Sequence, residues 1–338
     1  MRRVVPSRSG TIDFAGMRNA VLLMLALAVV AVPSGAQGLA IDIEAFIHAM
    51  VHKHRFNRQE LRKIFREVRP KPEVLSAGPA AAATGPWRKY RAATVTRERI
   101  ENGIKFWGIY EKTLDRVSAE YGVPQEIIVA TIGIESQYGH RIGGFNEIDV
   151  LTTLAFQHKR RADFYRGELE EFLLLARETG LDPLHIRGSE SGAIGIPQFL
   201  PGSYRKYAKD FDGDGKPDLV NSVPDAVASV ANYYRTNGWK TGDPVAVRAE
   251  VSTEALSMVR RTDLEPRATV AELQQKGVKP QAPLAGTLRA APFWVEAKDG
   301  KQFWLGLDNF YAMTRDDRGI NHALAVYELA QELRAAKR

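Results

Sequence analysis

Residues 121–139 read YGVPQEIIVATIGIESQYG. Gly122 stops the helical pattern that precedes it, and Pro124 suits the first turn of the next helix, where its missing N–H costs nothing. Ile128, Ile132 and Glu135 stand at i, i+4 and i+7 and share one face of that helix. A carboxyl in line with two isoleucines near a helix C-terminus is expected to be desolvated. Desolvation and the negative helix end both favour its neutral form. A carboxyl that stays protonated near neutral pH can give a proton to a leaving oxygen, which makes Glu135 a candidate acid/base residue. Gly139, Gly143 and Gly144 follow and would let a ligand approach the backbone. Periodicity alone does not separate such a residue from a structural Glu at a helix end.

Upstream, residues 41–68 carry Ile43, Phe46, Ile47, Met50 and Val51 three and four apart, which predicts helix. Ser76 to Gly85 is rich in Ala, Gly and Pro, has no charge, and reads as a loop or linker. Roughly Arg97 to Tyr121 is one long periodic stretch, with Ile104, Trp107, Leu114 and Val117 on one side. Downstream, Asp163 to Thr179 predicts a helix closed by Gly180, and helices are expected over 197–208 and 225–238. From about Asp243 the period changes. Val245, Val247, Ala249 and Val251 alternate, and Phe293 to Leu307 reads as a hairpin turning on Asp299-Gly300. His322 to Ala336 returns to helix. The chain therefore reads as mainly α with a small β-rich unit over about 243–312.

At 338 residues and 44% hydrophobic content, the chain can bury a real core in more than one domain. Arg18 precedes an apolar run from Ala20 to Val32, and Ser34-Gly35-Ala36 supplies small residues for cleavage. That order predicts a signal peptide over 1–36; the run is shorter than the roughly 20 apolar residues that span a bilayer. Residues 1–36 hold four Arg and one Asp, which leaves 43 basic and 39 acidic residues, net +4. This excess is too small, and too poor in aromatic interleaving, to indicate nucleic acid. There is no cysteine, so an exported form relies on packing or a bound metal rather than disulfides.

Two further features bear on the site. Gly188 to Phe199, GSESGAIGIPQF, is too Gly-rich for a helix interior and offers hydroxyls and an amide to a sugar. Tyr90, Tyr138, Tyr204 and Tyr207 are candidate stacking surfaces for sugar rings, although such residues are more often core.

Together these stretches resemble the membrane-bound lytic murein transglycosylase B family. The resemblance rests on 46–56 (FIHAMVHKHRF), 102–110 (NGIKFWGIY), 121–139, 160–176 (RRADFYRGELEEFLLLA), 188–204 (GSESGAIGIPQFLPGSY), 229–239 (SVANYYRTNGW) and 306–315 (GLDNFYAMTR). It covers nearly all of the chain after residue 36, in order. It implies a lysozyme-like helical core at 124–242, an additional helical region at 37–123, a small antiparallel β-domain at 243–312 and a C-terminal helix at 313–338. It also implies cleavage of the β-1,4 bond between N-acetylmuramic acid and N-acetylglucosamine without water. In that chemistry the Glu at position 135 is first acid and then base, and the muramoyl C6 hydroxyl closes a 1,6-anhydro ring. Ordinary glycosidases use two carboxylates; here only Glu190 and Asp149 are candidates for a second, and neither is compelling. By the resemblance Ser189 and Gln198 bind the muramoyl unit and its acetamido group, and Tyr90 lines the cleft; Tyr138, a candidate stacking surface, is a further candidate substrate-binding residue. After Thr314-Arg315 the family has Tyr-Asn and, further on, another Tyr; this chain has Asp316-Asp317 and His322. Asp317 thus stands at a substrate-binding position with altered chemistry. The missing cysteine sets the chain apart from the lipoprotein members and implies a soluble periplasmic form.

Asp210 to Asp218 reads D-x-D-G-D-G-x-x-D, with oxygen ligands at loop positions 1, 3 and 5 and Gly at 6, the opening of an EF-hand loop. Asp210, Asp212, Asp214 and the Lys216 backbone carbonyl are candidate Ca2+ ligands. Loop position 12 is Asn221 rather than Glu, and the resemblance points to Asp225 as the closing ligand. The ion would be structural, with no cofactor for catalysis. Peptidoglycan glycan strands are the implied partner, with other cell-wall enzymes as further candidates, no nucleic acid, and a monomeric state. A hydrolytic muramidase on the same fold and a non-catalytic glycan-binding protein are the alternatives.

Overall fold

Caps and left-handed residues cut the periodic stretches into shorter helices than their spacing predicts. The computed structural model describes residues 1, 34–76, 85–259, 262–315 and 319–337, with the backbone alone for 34–38. It divides into two compact units, residues 1–41 and 42–338. The predicted signal segment falls mostly on 2–33, and the predicted linker mostly on 77–84, both outside the described residues. The expected cleavage position, Ala36, lies in the first turn of a helix, Ser34–His54. Among the described residues no helix is long and apolar enough to cross a membrane.

The single helix expected over 41–68 is two, Ser34–His54 and Arg58–Glu67. Arg55 adopts φ 58°, and the Asn57 side chain accepts the amides of Gln59 and Glu60, which satisfies two orphan donors of the new helix. The stretch from Arg97 to Tyr121 likewise breaks at Tyr110 into Arg97–Ile109, capped by Thr96, and Glu111–Tyr121, closed by left-handed Gly122. The helix expected from Asp163 is Ala162–Thr179, with Gly180 at φ 70° as its closing residue. The helices expected over 197–208 and 225–238 are Pro201–Tyr207 and Val223–Thr236.

The β-rich segment forms a five-stranded antiparallel sheet. Its strands are β1 (Ala246–Val251), β2 (Ala268–Thr269), β3 (Val278–Pro280), β4 (Arg289–Ala297) and β5 (Gly300–Leu307), in the order β2-β4-β5-β1-β3. Ala297 pairs with Gly300, so the two-residue turn is Lys298-Asp299, one residue earlier than expected. Gly300, at φ 111°, supplies the left-handed conformation that makes this register comfortable. Val270, Leu273, Val278 and Leu305 centre a small core of their own. The two faces of β1 divide their loyalty: Ala246 joins the main helical core, whereas Ala249 joins the small one.

The Gln125–Ser136 helix lies at the centre of the main core. Every residue from Ile127 to Gly133 is buried, so its isoleucine stripe is part of an all-round apolar surface rather than one face. The last helix, Gly319–Lys337, packs against it and against Arg97–Ile109 and Trp87–Thr94. Gly103 makes room for the last helix and for Tyr138, and Gly133 makes room for Tyr138. A Cβ on Gly103 would collide with Tyr138 and Leu333, and a Cβ on Gly133 would collide with the Tyr138 ring.

Candidate active site

Glu135 occupies the last turn of the Gln125–Ser136 helix, and the chain beyond it turns sharply. Gln137, Tyr138 and Gly139 all have positive φ, at 51°, 63° and 88°. For two residues with a Cβ this is a sparsely populated region, tolerated where surrounding bonds over-determine it. Here the Gln137 amide donates to the Gly133 carbonyl, the Tyr138 amide to Ile132, and the Arg141 amide to Ser136. The buried Ser136 hydroxyl accepts the Gly139 amide at 2.9 Å. The turn therefore seals the helix end and fixes the carboxyl that precedes it.

The Glu135 side chain is 7% exposed, and its Oε1 lies 3.2 Å from Nε2 of His322, itself 8% exposed. Nδ1 of the same ring lies 3.3 Å from the Tyr90 hydroxyl. The three side chains come from three elements, Trp87–Thr94, Gln125–Ser136 and Gly319–Lys337, and make one chain of polar contacts. Tyr90 is stacked on Trp87, with ring centroids 6.5 Å apart.

Tyr138 has a different role from the cleft surface expected of it. Its ring is buried over Gly103 and Gly133 and beside Phe106, and its hydroxyl donates to the Arg99 carbonyl at 2.8 Å. Burial pushes its phenol well above the usual tyrosine range. It holds the helices beneath Glu135 together and presents no open face to a sugar. Tyr204 and Tyr207 are buried as well, Tyr204 donating to the Pro217 carbonyl.

The Gly-rich segment folds as a tight double reversal. Gly188 bridges to Ile194, and Ile194 bridges to Phe199. The Ser189 hydroxyl accepts the amides of Ser191 and Ala193, at 3.3 and 3.1 Å, and so shapes this loop. Gln198, left-handed at φ 52°, donates its side-chain amide to Ile142 at 3.2 Å and to Gly195 at 2.7 Å. It ties this loop to the one that follows Glu135. Gly143 crosses the backbone of Gly188 so closely that any Cβ there would strike the Gly188 carbonyl. Asp317 lies outside the described residues, as does Asp316.

The two weak candidates for a second carboxylate have other surroundings. Asp149 is buried and accepts the Arg69 amide at 2.7 Å, and Glu190 is exposed. A residue that sequence reasoning passed over is Glu147. It is fully buried at the start of the Glu147–Gln157 helix, and neither carboxyl oxygen has a hydrogen-bond partner. Burial, with a smaller push from Glu168, raises its carboxyl to about 8, so it is neutral at pH 7. Its oxygens press on Gly188 and Gly192, beneath the Ser189 loop. The signal was present: Glu147, Leu151 and Leu154 repeat the i, i+4, i+7 spacing that singled out Glu135.

The aspartate loop is a separate centre. One carboxylate oxygen from each of Asp210, Asp212 and Asp214 lies within 4.8 Å of the others, all three residues being exposed. Asp210 accepts the amides of Gly213 and Gly215, which curls the loop around it. Asp225 is fully buried and accepts the amides of Phe211, Asp212 and Asp218. It anchors the loop from below.

Residues 40–331 match the family described as Transglycosylase SLT domain. Membrane-bound lytic murein transglycosylase B of Escherichia coli K12 is 40% identical over 306 residues, covering 88% of this chain and 83% of that one. The soluble lytic transglycosylase SltB1 of Pseudomonas aeruginosa superposes with a TM-score of 0.80 at 38% identity, covering 88% and 99% of the two chains. Escherichia coli Slt35 in complex with calcium gives 0.78 at 39% identity, covering 88% and 93%. SltB3 of Pseudomonas aeruginosa in complex with NAG-anhNAM-pentapeptide gives 0.75 at 29%, covering 89% and 81%. The family match over residues 40–331 and the 40% identity along most of both chains place the protein in the lytic murein transglycosylase B family, as a peptidoglycan lytic transglycosylase.

Proposed function

We propose that this enzyme cuts the β-1,4 bond between N-acetylmuramic acid and N-acetylglucosamine and leaves a 1,6-anhydromuramoyl end, with Glu135 as the single acid and base. The observation that carries this reading is the Glu135 carboxyl, nearly sealed from water at a rigid helix end. Its proton goes to the glycosidic oxygen as the bond from C1 breaks, and the bond's electron pair leaves with that oxygen. The carboxylate so formed takes the proton of the muramoyl C6 hydroxyl, whose oxygen supplies the electron pair of the new bond to C1. The enzyme finishes with the proton count it started with, and water is not consumed. An intramolecular nucleophile needs no second carboxylate to activate water, in contrast to ordinary glycosidases. The SltB3 complex with an anhydro-muramoyl ligand supports the same product. In this reading Ser189 and Gln198 act mainly by holding the loop against which the muramoyl unit rests.

The aspartate loop fits Ca2+, whose preference is for several oxygen ligands on a flexible loop. Asp210, Asp212 and Asp214 would supply carboxylates and Lys216 its backbone carbonyl. Asp225 already serves three amides, so it would join the ion only by sharing those bonds. The ion would neutralise the aspartates and brace the Pro201–Tyr207 and Val223–Thr236 helices, with no part in the reaction. The predicted signal peptide supports export of the enzyme to the periplasm.

Mass spectrometry of peptidoglycan sacculi digested by the enzyme tests the central claim. Anhydro-muramoyl ends are expected, and reducing muramoyl ends would overturn it in favour of a hydrolase.

A further inference from the structure

We propose that Glu147 is a positioning residue: its protonated carboxyl is the floor of the turn at residues 188–192, and loss of that proton lets the turn open while the helical core stays folded. Its bearing on the reaction rests on the reading that the muramoyl unit lies against this loop. The carboxyl is completely buried, and among the described residues neither oxygen has a hydrogen-bond partner. It stands between the two glycines that begin and end the turn, Oε2 against Gly188 and Oε1 against Gly192, and a Cβ on Gly188 would collide with it. Leu151, one helical turn on, also packs under Gly192.

The Glu147 backbone is fastened to one leg of the turn. Its amide donates to the Ile186 carbonyl at 3.0 Å, and Phe145 and Asn146 pair with Gly188 and Arg187. The other leg is held by bonds inside the turn. The Ser189 amide donates to the Ala193 carbonyl at 2.8 Å, the Gly192 amide donates to the Ser189 carbonyl at 3.1 Å, and the Ser189 hydroxyl accepts the amides of Ser191 and Ala193. Water therefore reaches the carboxyl when residues 189–193 lift, a local opening that leaves the core in place. The bonds that break are those that shape the loop around Ser189, so opening undoes the surface that meets the sugar.

A neutral carboxyl tolerates this enclosure far better than a carboxylate does, because a buried charge without a donor is costly. Burial accordingly pushes the Glu147 carboxyl up to about 8. Glu168 pushes the same way from the Ala162–Thr179 helix; it accepts the Gly202 amide at 2.9 Å and faces Arg161. Asp149, on the same helix as Glu147, is occupied by the Arg69 amide. Arg187 is exposed and donates to the Gly144 carbonyl, and Glu190 and Glu73 are exposed. In the open turn the carboxyl meets water and regains its ordinary value of 4.5. Between the two values the closed turn holds a proton that the open turn has lost. The opening equilibrium therefore rises about tenfold per pH unit across this window and levels off above the closed value.

The test is amide hydrogen exchange of the full chain from about pH 5.5 to 8, corrected for base catalysis, in the wild type, Glu147→Gln and Glu147→Met. Neither variant can ionise, and Met fills the space without a polar group should the Gln amide not be accommodated. In the wild type the protection of the Ser191 and Ala193 amides should fall about tenfold per pH unit, while the amides of the Gln125–Ser136 helix show no such slope. In both variants the slope at Ser191 and Ala193 should vanish. A flat wild-type profile, the same slope in the variants, or a slope shared by the Gln125–Ser136 helix would each overturn the proposal. Release of soluble muropeptides, scored whichever ends they carry and divided by each protein's own rate at the lowest pH, tests the bearing on the reaction. Toward pH 8 the wild type should lose roughly threefold more than Glu147→Gln, through KM rather than kcat. Superimposed activity profiles beside the expected exchange would overturn the reading that the muramoyl unit rests on this loop, and the positioning role with it, and would leave the proton-linked opening standing.

Discussion

Glu135 and Glu147 are two carboxyls set on apolar helical spacing in neighbouring elements, and their surroundings give them different work. Glu135 has an imidazole nitrogen 3.2 Å away and sits before a turn of left-handed residues. Replacing it with Gln keeps its shape and removes its proton, so release of anhydro ends should drop by about 10²-fold or more, read by mass spectrometry, while sacculus pelleting persists. Glu147 has no partner, and burial holds it protonated up to about pH 8. Its folded value lies above the ordinary 4.5. Between those values the folded state therefore holds a proton that the unfolded state has lost, and stability falls as pH rises across this window. The cost reaches several kcal/mol once the pH passes the folded value. Glu147→Gln should flatten the pH dependence of the urea midpoint from about pH 5 to 8. A variant with the wild-type slope would show that the carboxyl is ionised and compensated.

At the scale of elements, short segments do the positioning. The Ser189 loop is held by its own amides, by Gln198 and by the crossing of Gly143 over Gly188. The aspartate loop connects the Pro201–Tyr207 and Val223–Thr236 helices, and without a cation its three carboxylates repel one another. Ca2+ at a hundredfold excess over its dissociation constant should raise stability by about 2.7 kcal/mol. Asp210→Asn and Asp214→Asn should reduce that gain. A melting temperature of chelator-treated protein that does not respond to added calcium would rule the site out. The helices were legible where a local stop exists, as at Gly122 and Gly180. They were not legible where continuous periodicity hides a break. The break at Arg55 comes with a left-handed residue and the Asn57 cap, and the break at Tyr110 carries no side-chain cap, so side-chain spacing records neither.

At the scale of the whole molecule, the Gly319–Lys337 helix returns to cover the Gln125–Ser136 helix. It brings His322 to the site and seats Leu333 against Gly103. Leu333 is fully buried, so Leu333→Ala should cost about 2–5 kcal/mol of unfolding free energy in urea. Anhydro-forming activity should persist below the transition, because Leu333 touches the scaffold rather than the polar chain. A change below ~1 kcal/mol would mean that the site collapses around the missing atoms or that the helix is loosely docked.

Composition, spacing and motif resemblance determined the mainly helical class, the β-rich segment, the family, and the candidacy of Glu135 and the aspartate loop. These are properties of residues near one another along the chain, where period, stops and ligand spacing are written directly. Tertiary structure decided the rest. It turned Tyr138 from a candidate sugar platform into a buried brace over two glycines, and it sealed Glu147 beneath a loop. Above all, it brought His322 to the carboxyl of Glu135 and Tyr90 to the far side of the His322 ring. Such meetings depend on how helices remote in sequence pack, because burial and partner choice are set by the shared core and not by any local period.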